Sequence, residues 1–347
     1  MSQNPGVVSA DWVASGFVGR LLAVVLALAI SAQARAIEAP LDTLGFEGLA
    51  EQAEATARLH SVLISVDGEP VYAQVIRGPA LDQPVNIKSL SKTLLAAVTG
   101  AAIDKGLLQG ADQSITELLT PPAGADERVA EITVGNLLTM QAGLGRTSGP
   151  NYGEWVTSNN WVNYALTRPF VDEPGGTMLY STGSYHILSA ALTAHTGKDT
   201  LTLTRELLGD PLNIQIHPWP RDPQGIYFGG NDMRVSPLAL LQIGELYRNG
   251  GLHDGRRVLS QEWINQSWQP RTRSRFTNDP YGYGWFETDL TGYTAYYGRG
   301  FGGQMLYVIP ELAVTAVMIS SPEPPGQPGL IQQLHGLLEK FVIPVVR

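Results

Sequence analysis

The stretch Ser89-Leu90-Ser91-Lys92-Thr93-Leu94-Leu95-Ala96-Ala97-Val98 sets a hydroxyl and an amine three residues apart at the head of an apolar run. Leu90, Leu94, Leu95, Val98, Ala101, Ala102 and Leu108 recur at helical spacing, which predicts a mostly buried helix from Ser89 to Leu107, loosened at its end by Gly106. Residues three apart share a helix face, so the Ser89 hydroxyl and the Lys92 amine meet. A serine hydroxyl attacks a carbonyl only when a base takes its proton, and a lysine is that base only when its pKa falls. Burial in an apolar helix and the positive end of the helix dipole both disfavour the ammonium form. The same helix end offers the Ser89 N–H to a developing oxyanion. With five lysines in the chain, about 0.3 such Ser-x-x-Lys pairs arise by chance, so alone the pair reads equally as a capped core helix.

Moving outward, Tyr180-Ser181-Thr182 follows the turn Pro174-Gly175-Gly176 and puts a phenol at a loop-to-helix junction. A phenol has an ordinary pKa of about 10, and a nearby lysine favours its phenolate enough for it to share base duty. An isolated tyrosine is otherwise a half-buried core residue. Farther on, Gly298-Arg299-Gly300-Phe301-Gly302-Gly303-Gln304 reads as the turn joining two late strands. Its glycines let a substrate reach the backbone, and an N–H there completes an oxyanion hole with Ser89; by itself the segment is a glycine-rich hairpin turn.

The flanks supply a sheet. Val62 to Val66 and Val71 to Ile76 are β-rich runs around the turn Asp67-Gly68. Gly292 to Tyr297, Gln304 to Ile309 and Ala313 to Ile319 predict three more strands, then a Pro-rich loop from Pro322 to Pro328 and an amphipathic helix from Leu330 to Phe341. Between them, residues 108–270 mix helical stretches such as Pro237 to Arg248 with loops rich in Gly, Asn and Pro. Two sheet regions, about 42–107 and 271–347, with a mainly helical insert make a single α+β domain over 37–347: an antiparallel sheet flanked by helices, with a cleft at its seam.

A net charge of −9 argues against nucleic acid or anionic lipid as a partner and favours a small substrate that is uncharged or cationic. Arg20, the apolar run Leu21 to Ile30 and the small residues up to Ala34-Arg35-Ala36 predict a signal peptide over 1–36, with an uncleaved anchor as the other reading. Ten apolar residues fall short of the roughly 20 that span a bilayer, so no stable span is expected after cleavage. The mature chain is expected to be exported, periplasmic or secreted, and the absence of cysteine excludes disulfides and thiol chemistry. His60, His186, His195, His217, His253 and His335 show no metal-ligand spacing, so no metal and no cofactor are expected. His186 lies six residues after Tyr180 and reads as a helix-face histidine with a structural partner, with a place in the cleft wall as the other reading. Arg271, Arg273 and Arg275 read as a solvated loop, and His217-Pro218-Trp219-Pro220 as a wall of the pocket or as surface packing.

In this order and at these separations, the three elements resemble the serine β-lactamase and penicillin-binding protein superfamily, especially its class C-like branch of esterases, carboxypeptidases and aminohexanoate-dimer hydrolases. The likeness extends through Ile132-Thr133-Val134-Gly135-Asn136-Leu137-Leu138 before Gly143-Leu144, Asp232 to Leu246, Tyr281-Gly282-Tyr283-Gly284-Trp285, and Gly303-Gln304 through Val308-Ile309-Pro310-Glu311. It implies a β-lactamase/transpeptidase-like fold. By resemblance, Ser89 is the acylated nucleophile, Lys92 and Tyr180 are the base pair, and the N–H groups of Ser89 and Phe301 form the oxyanion hole. Thr182, Arg299, Gly300 and Gly302 are the substrate-binding positions. Thr182 stands where asparagine is usual, and Arg299-Gly300 replaces the usual Lys-Thr-Gly or His-Thr-Gly strand, which removes the lysine that holds a penicillin carboxylate unless Arg299 faces the cleft and takes its place. These departures argue against β-lactamase activity, and the Gly-x-Gly-Gly-Gln arrangement is closer to the esterase and aminohexanoate-dimer hydrolase members, which implies a small-molecule ester, amide or peptide substrate, simpler esters or linear amides first. The rival readings are a binding or sensor protein that acylates without turnover, and a D-amino-acid peptidase or β-lactamase.

Overall fold

The strand-forming runs at the two ends of the chain assemble in the computed structural model into one antiparallel sheet; the structure describes residue 1, residues 40–323 and residues 329–347. The strands are β1 (Leu41–Asp42), β2 (Leu59–Val66), β3 (Glu69–Val75), β4 (Thr272–Arg273), β5 (Pro280–Tyr281), β6 (Phe286–Leu290), β7 (Tyr293–Gly300), β8 (Gln304–Ile309) and β9 (Val314–Ser320). They lie in the order β1-β3-β2-β9-β8-β7-β6-β5-β4, so β9 pairs with β2 and joins the carboxyl-terminal strands to the opening hairpin. β8 and β9 are buried along their whole length, which an antiparallel sheet reaches only when both of its faces are covered.

The principal helices are α1 (Ser91–Asp104), α2 (Thr182–Thr196), α3 (Pro237–Arg248) and α4 (Leu330–Leu337). α3 packs on β9, β8 and β2, where the bare face of Gly244 meets Leu306 and Thr315. It therefore covers the sheet, although its sequence position put it in the helical insert. The rest of that region holds α2, shorter helices, loops and the small strand pair Leu252–His253 with Arg256–Arg257, and its Arg234–Val235 pairs with Val85–Asn86 from outside it.

Three expected boundaries move. The helix predicted from Ser89 begins as a 3-10 turn over Lys88–Leu90 and becomes α-helical only at Ser91. It stops at Asp104 because Gly106 takes φ 70°, so that Leu107 N–H reaches the Ala102 carbonyl at 2.8 Å and Gly106 N–H the Ile103 carbonyl at 2.9 Å. β7 runs on through Gly300 rather than turning at Gly298, its register fixed by the pairs Gly298 with Leu306, Arg299 with Met305 and Gly300 with Gln304. The last strand starts at Val314, since Ala313 occupies a left-handed turn at φ 52°. The residues read as a signal peptide lie outside the described ones, and no described helix is long and apolar enough to cross a membrane.

Candidate active site

Ser89 stands in the 3-10 turn ahead of α1, and the turn is held under local strain. Lys88 has φ 50°, an unfavourable value for a residue with a side chain, costing of order 1–3 kcal/mol. Three contacts hold it there: Lys88 N–H donates to Asn86 Oδ1 at 2.9 Å, Asn86 Nδ2 donates to Asp232 Oδ1 at 2.8 Å, and Lys88 Nζ pairs with the same oxygen at 3.0 Å. Ser91 Oγ donates to the Lys88 carbonyl at 2.6 Å and accepts from Met233 N–H at 3.0 Å, tying the turn to the segment around Asp232.

One helical turn on, Lys92 is buried, with 3% of its surface exposed. Its Nζ lies 3.0 Å from Ser89 Oγ, 3.3 Å from Thr182 Oγ1 and 2.8 Å from the Gly230 carbonyl oxygen. No carboxylate pairs with it among the described residues. Burial therefore pushes its pKa below the ordinary lysine value, opposed only in part by the Tyr180 phenol and by Asp232.

Tyr180 completes the group, its ring centroid 5.0 Å from Lys92 Nζ. Burial alone would raise the phenol's pKa, but the Lys92 charge, the Ser89 hydroxyl and the Arg299 charge outweigh it and the pKa falls. Both partners thus shift toward sharing one proton, and they titrate as a pair. The start of α2 fixes Tyr180 in place. A helix leaves its first N–H groups without partners, and here side chains from the loop after Gly143-Leu144 supply the acceptors. Thr182 N–H donates to Ser148 Oγ at 2.9 Å and Gly183 N–H to Thr147 Oγ1 at 2.8 Å. Ser148 Oγ also lies 3.1 Å from Thr182 Oγ1, so Thr182 is locked between Ser148 and Lys92.

The glycines of β7 explain how the strand reaches the nucleophile. Gly298 and Gly300 share one face, and a Cβ on Gly298 would strike Thr93 and Leu90, while one on Gly300 would strike the Ile87 carbonyl oxygen and Lys88. Without side chains the strand lies directly against the turn that bears Ser89. Phe301 follows, half exposed, and among the described residues neither the Ser89 N–H nor the Phe301 N–H has an acceptor. Arg299 rests over the Phe286 ring at 4.5 Å.

A cleft of about 740 Å³ opens over these groups. Ser89, Tyr180, Thr182, Arg299, Gly300, Phe301 and Gly302 line it; Lys92 lies buried behind Ser89. Sequence reasoning missed Arg146, Ser148, Tyr152, Asn231 and Phe276, which line it too, and the Gly230 carbonyl that holds Lys92. The motifs ending at Gly143-Leu144 and beginning at Asp232 are the signals that point near them.

His186 does not reach the cleft. It is fully buried, with Nε2 3.0 Å from Asp222 Oδ2, and its Nδ1 accepts from Gly229 N–H at 3.3 Å. That N–H contact makes Nδ1 the acceptor and Nε2–H the donor to Asp222. Burial holds the imidazole below its ordinary pKa, against the pull of Asp222. The pair braces the backbone next to Gly230, whose carbonyl holds Lys92. His217-Pro218-Trp219-Pro220 does not wall the cleft: Trp219 is buried on Tyr227 and bonds the Phe228 carbonyl at 2.9 Å. Arg271 lies over the Tyr283 ring and Arg273 on the Asn278 carbonyl, whereas Arg275 lines a second chamber. No group of three or more His, Cys, Asp or Glu suited to a metal ion occurs among the described residues.

A buried lysine on a serine hydroxyl, a phenol beside both and a glycine strand closing over them occupy the region that the Beta-lactamase family model matches, residues 34–335. The chain belongs to the Beta-lactamase family. This is a family of serine hydrolases, and its fold recurs in solved structures of low sequence identity. A Bacillus anthracis protein assigned as a 6-aminohexanoate-dimer hydrolase is 17% identical, with TM-score 0.70 over 86% of this chain and 81% of its own. A penicillin-binding protein homologue from Caulobacter crescentus is 18% identical, with TM-score 0.68 over 87% and 98%. A D-stereospecific amidohydrolase from Streptomyces sp. is 16% identical, with TM-score 0.66 over 87% and 98%. No curated protein sequence gives a significant match. The sheet of this Beta-lactamase family member, like its helical flanks, is the β-lactamase/transpeptidase-like architecture expected from the sequence.

Proposed function

We propose that this protein hydrolyses an ester or amide bond of a small molecule through an acyl-enzyme on Ser89. The observation that carries the reading is the 3.0 Å contact between Ser89 Oγ and a buried lysine amine that has no carboxylate partner among the described residues. The Lys92–Tyr180 pair takes the Ser89 proton as Oγ bonds to the substrate carbonyl carbon, and the carbonyl oxygen becomes an oxyanion facing the N–H groups of Ser89 and Phe301. When the tetrahedral intermediate collapses, the bond to the leaving oxygen or nitrogen breaks and the pair returns the proton to that atom. A water then attacks the acyl-enzyme, giving its proton to the same pair, and Ser89 is regenerated with release of the acid.

Phe276, Phe301, Tyr152, Leu330 and Ile331 line the cleft and favour an apolar substituent next to the scissile bond. Arg299 rests over the Phe286 ring at the edge of the cleft, and the absence of a Lys-Thr-Gly strand beside it supports esters and linear amides over β-lactams as substrates. Export as a periplasmic or secreted protein, with residues 1–36 removed, belongs to the same proposal, and amino-terminal sequencing of the mature protein tests it. Short p-nitrophenyl esters test the chemistry: a fluorophosphonate should label wild type, and Ser89→Ala should lose both labelling and turnover. Turnover that survives Ser89→Ala rejects the assignment.

A further inference from the structure

Beside the cleft lies a second chamber of about 610 Å³, and the two share Arg146, Tyr180 and Phe276 as wall. Two more arginines, Arg168 and Arg275, line the second chamber, and no Asp or Glu does. Three arginines lining one chamber are unexpected in a chain of net charge −9. Arg128, Arg221 and Arg248 each pair with a carboxylate, but Arg146, Arg168 and Arg275 form no ion pair among the described residues. The guanidiniums of Arg146 and Arg275 have no hydrogen-bond acceptor there either. Arg168 Nε is buried without a partner, and its Nη1 meets only the Tyr164 hydroxyl at 3.3 Å.

Like charges gathered in one chamber repel, and each guanidinium presents a planar fork of donors that fits a carboxylate in bidentate fashion. An anion there would relieve the repulsion and satisfy the donors. The geometry points to the second chamber as an anion subsite, which takes a carboxylate carried by the substrate on the far side of Tyr180 from Ser89. This deepens the proposed hydrolase function and rests on it. It also reverses the expectation from net charge, because the local field around Tyr180 is positive where the surface as a whole is negative. The site is separate from the Arg299 strand, so recognition of the anion does not draw on the cation position next to the oxyanion donors.

Matched substrates test it: p-nitrophenyl or alkyl monoesters bearing a terminal carboxylate, each compared with its methyl-capped neutral twin, with the carboxylate placed on the acyl half in one pair and on the leaving group in another. Wild type should favour the acid in at least one pair by about tenfold to a hundredfold in kcat/KM, the range of one charge-assisted bidentate contact. The preference should shrink as salt is raised. Arg275→Gln and Arg168→Gln should each remove most of it while hydrolysis of the neutral twin and fluorophosphonate labelling of Ser89 stay within about twofold. Arg275 is exposed, so its variant keeps the test valid even if Arg168→Gln folds poorly. Equal rates for acid and neutral twin in both pairs, or a preference untouched in Arg275→Gln and in folded Arg168→Gln, overturns the subsite. Turnover of the neutral twin by Ser89→Ala overturns instead the nucleophile on which it rests.

Discussion

Replacing Lys92 with methionine separates catalysis from stability. Methionine approximates the lysine stem in volume but has no amine, so the three contacts of Nζ to Ser89 Oγ, Thr182 Oγ1 and the Gly230 carbonyl disappear together. Thr182 keeps Ser148, Tyr180 keeps the Ser89 hydroxyl, and Ser89 faces the open cleft, so the Gly230 oxygen is the buried acceptor left without its lysine donor. That orphan costs about 1–3 kcal/mol. Against it stands release from a buried amine whose pKa is held down, where each tenfold loss of proton affinity on folding corresponds to about 1.4 kcal/mol. These effects oppose one another, so stability should stay within about 2 kcal/mol of wild type, a few degrees in Tm. Activity should fall at least 10²–10⁴-fold, roughly the contribution of a positioned general base. The pH dependence carries a sign. Between the depressed folded pKa and the ordinary 10.5, the unfolded lysine binds a proton that the folded one does not, so wild type gains on Lys92→Met as pH rises through that window. Urea unfolding from pH 7 to 10, paired with p-nitrophenyl ester hydrolysis, measures both. A variant that keeps ester hydrolysis, or whose stability difference from wild type is flat in pH, refutes the buried-base account.

Tyr180→Phe should retain the fold and lower kcat/KM about 10²-fold or more, read from the same ester assay and from slowed fluorophosphonate labelling. Gly300→Val drives a side chain into the Ile87 carbonyl and Lys88, so it should cost about 1–3 kcal/mol in thermal unfolding and most of the activity, because strand and Ser89 turn must separate. His186→Ala removes the donor to Asp222 Oδ2, while Oδ1 keeps the Gln224 and Ile226 N–H groups, and leaves a cavity where the buried ring stood, so it should cost about 2–5 kcal/mol. The wild-type imidazole is held below its ordinary 6.5, so the unfolded chain takes up a proton first as pH falls, and wild-type stability should decline below about pH 6.5; a urea midpoint series from pH 7.5 to 5 checks both statements.

Parts of this arrangement are legible in the chain because they are local. The Ser89–Lys92 spacing, the apolar face behind it and the hairpin at Asp67-Gly68 depend on near neighbours, and the paired strands Val62 and Met318 or Leu63 and Val317 follow from the same β-rich runs. What escapes depends on contacts across long separations. Gly298 and Gly300 look like turn residues until Thr93, Leu90 and Ile87 are seen pressing on that face, which is why the strand reads as too short. Ser148 caps a helix 34 residues away, and Asp232 steadies a strained turn 144 residues before it, with no spacing to announce either. Arg275 reads with Arg271 and Arg273 as a solvated loop, since nothing in a run of alternating arginines shows that one of them lines a chamber together with Arg146 and Arg168.

The most direct measurement is mass spectrometry of wild type quenched during turnover of a short p-nitrophenyl ester, followed by peptide mapping. The account predicts an added acyl mass on the peptide carrying Ser89, accumulating in step with the initial burst of nitrophenol and absent from Ser89→Ala. Steady hydrolysis with no acyl adduct at Ser89, or with the adduct on another residue, contradicts it.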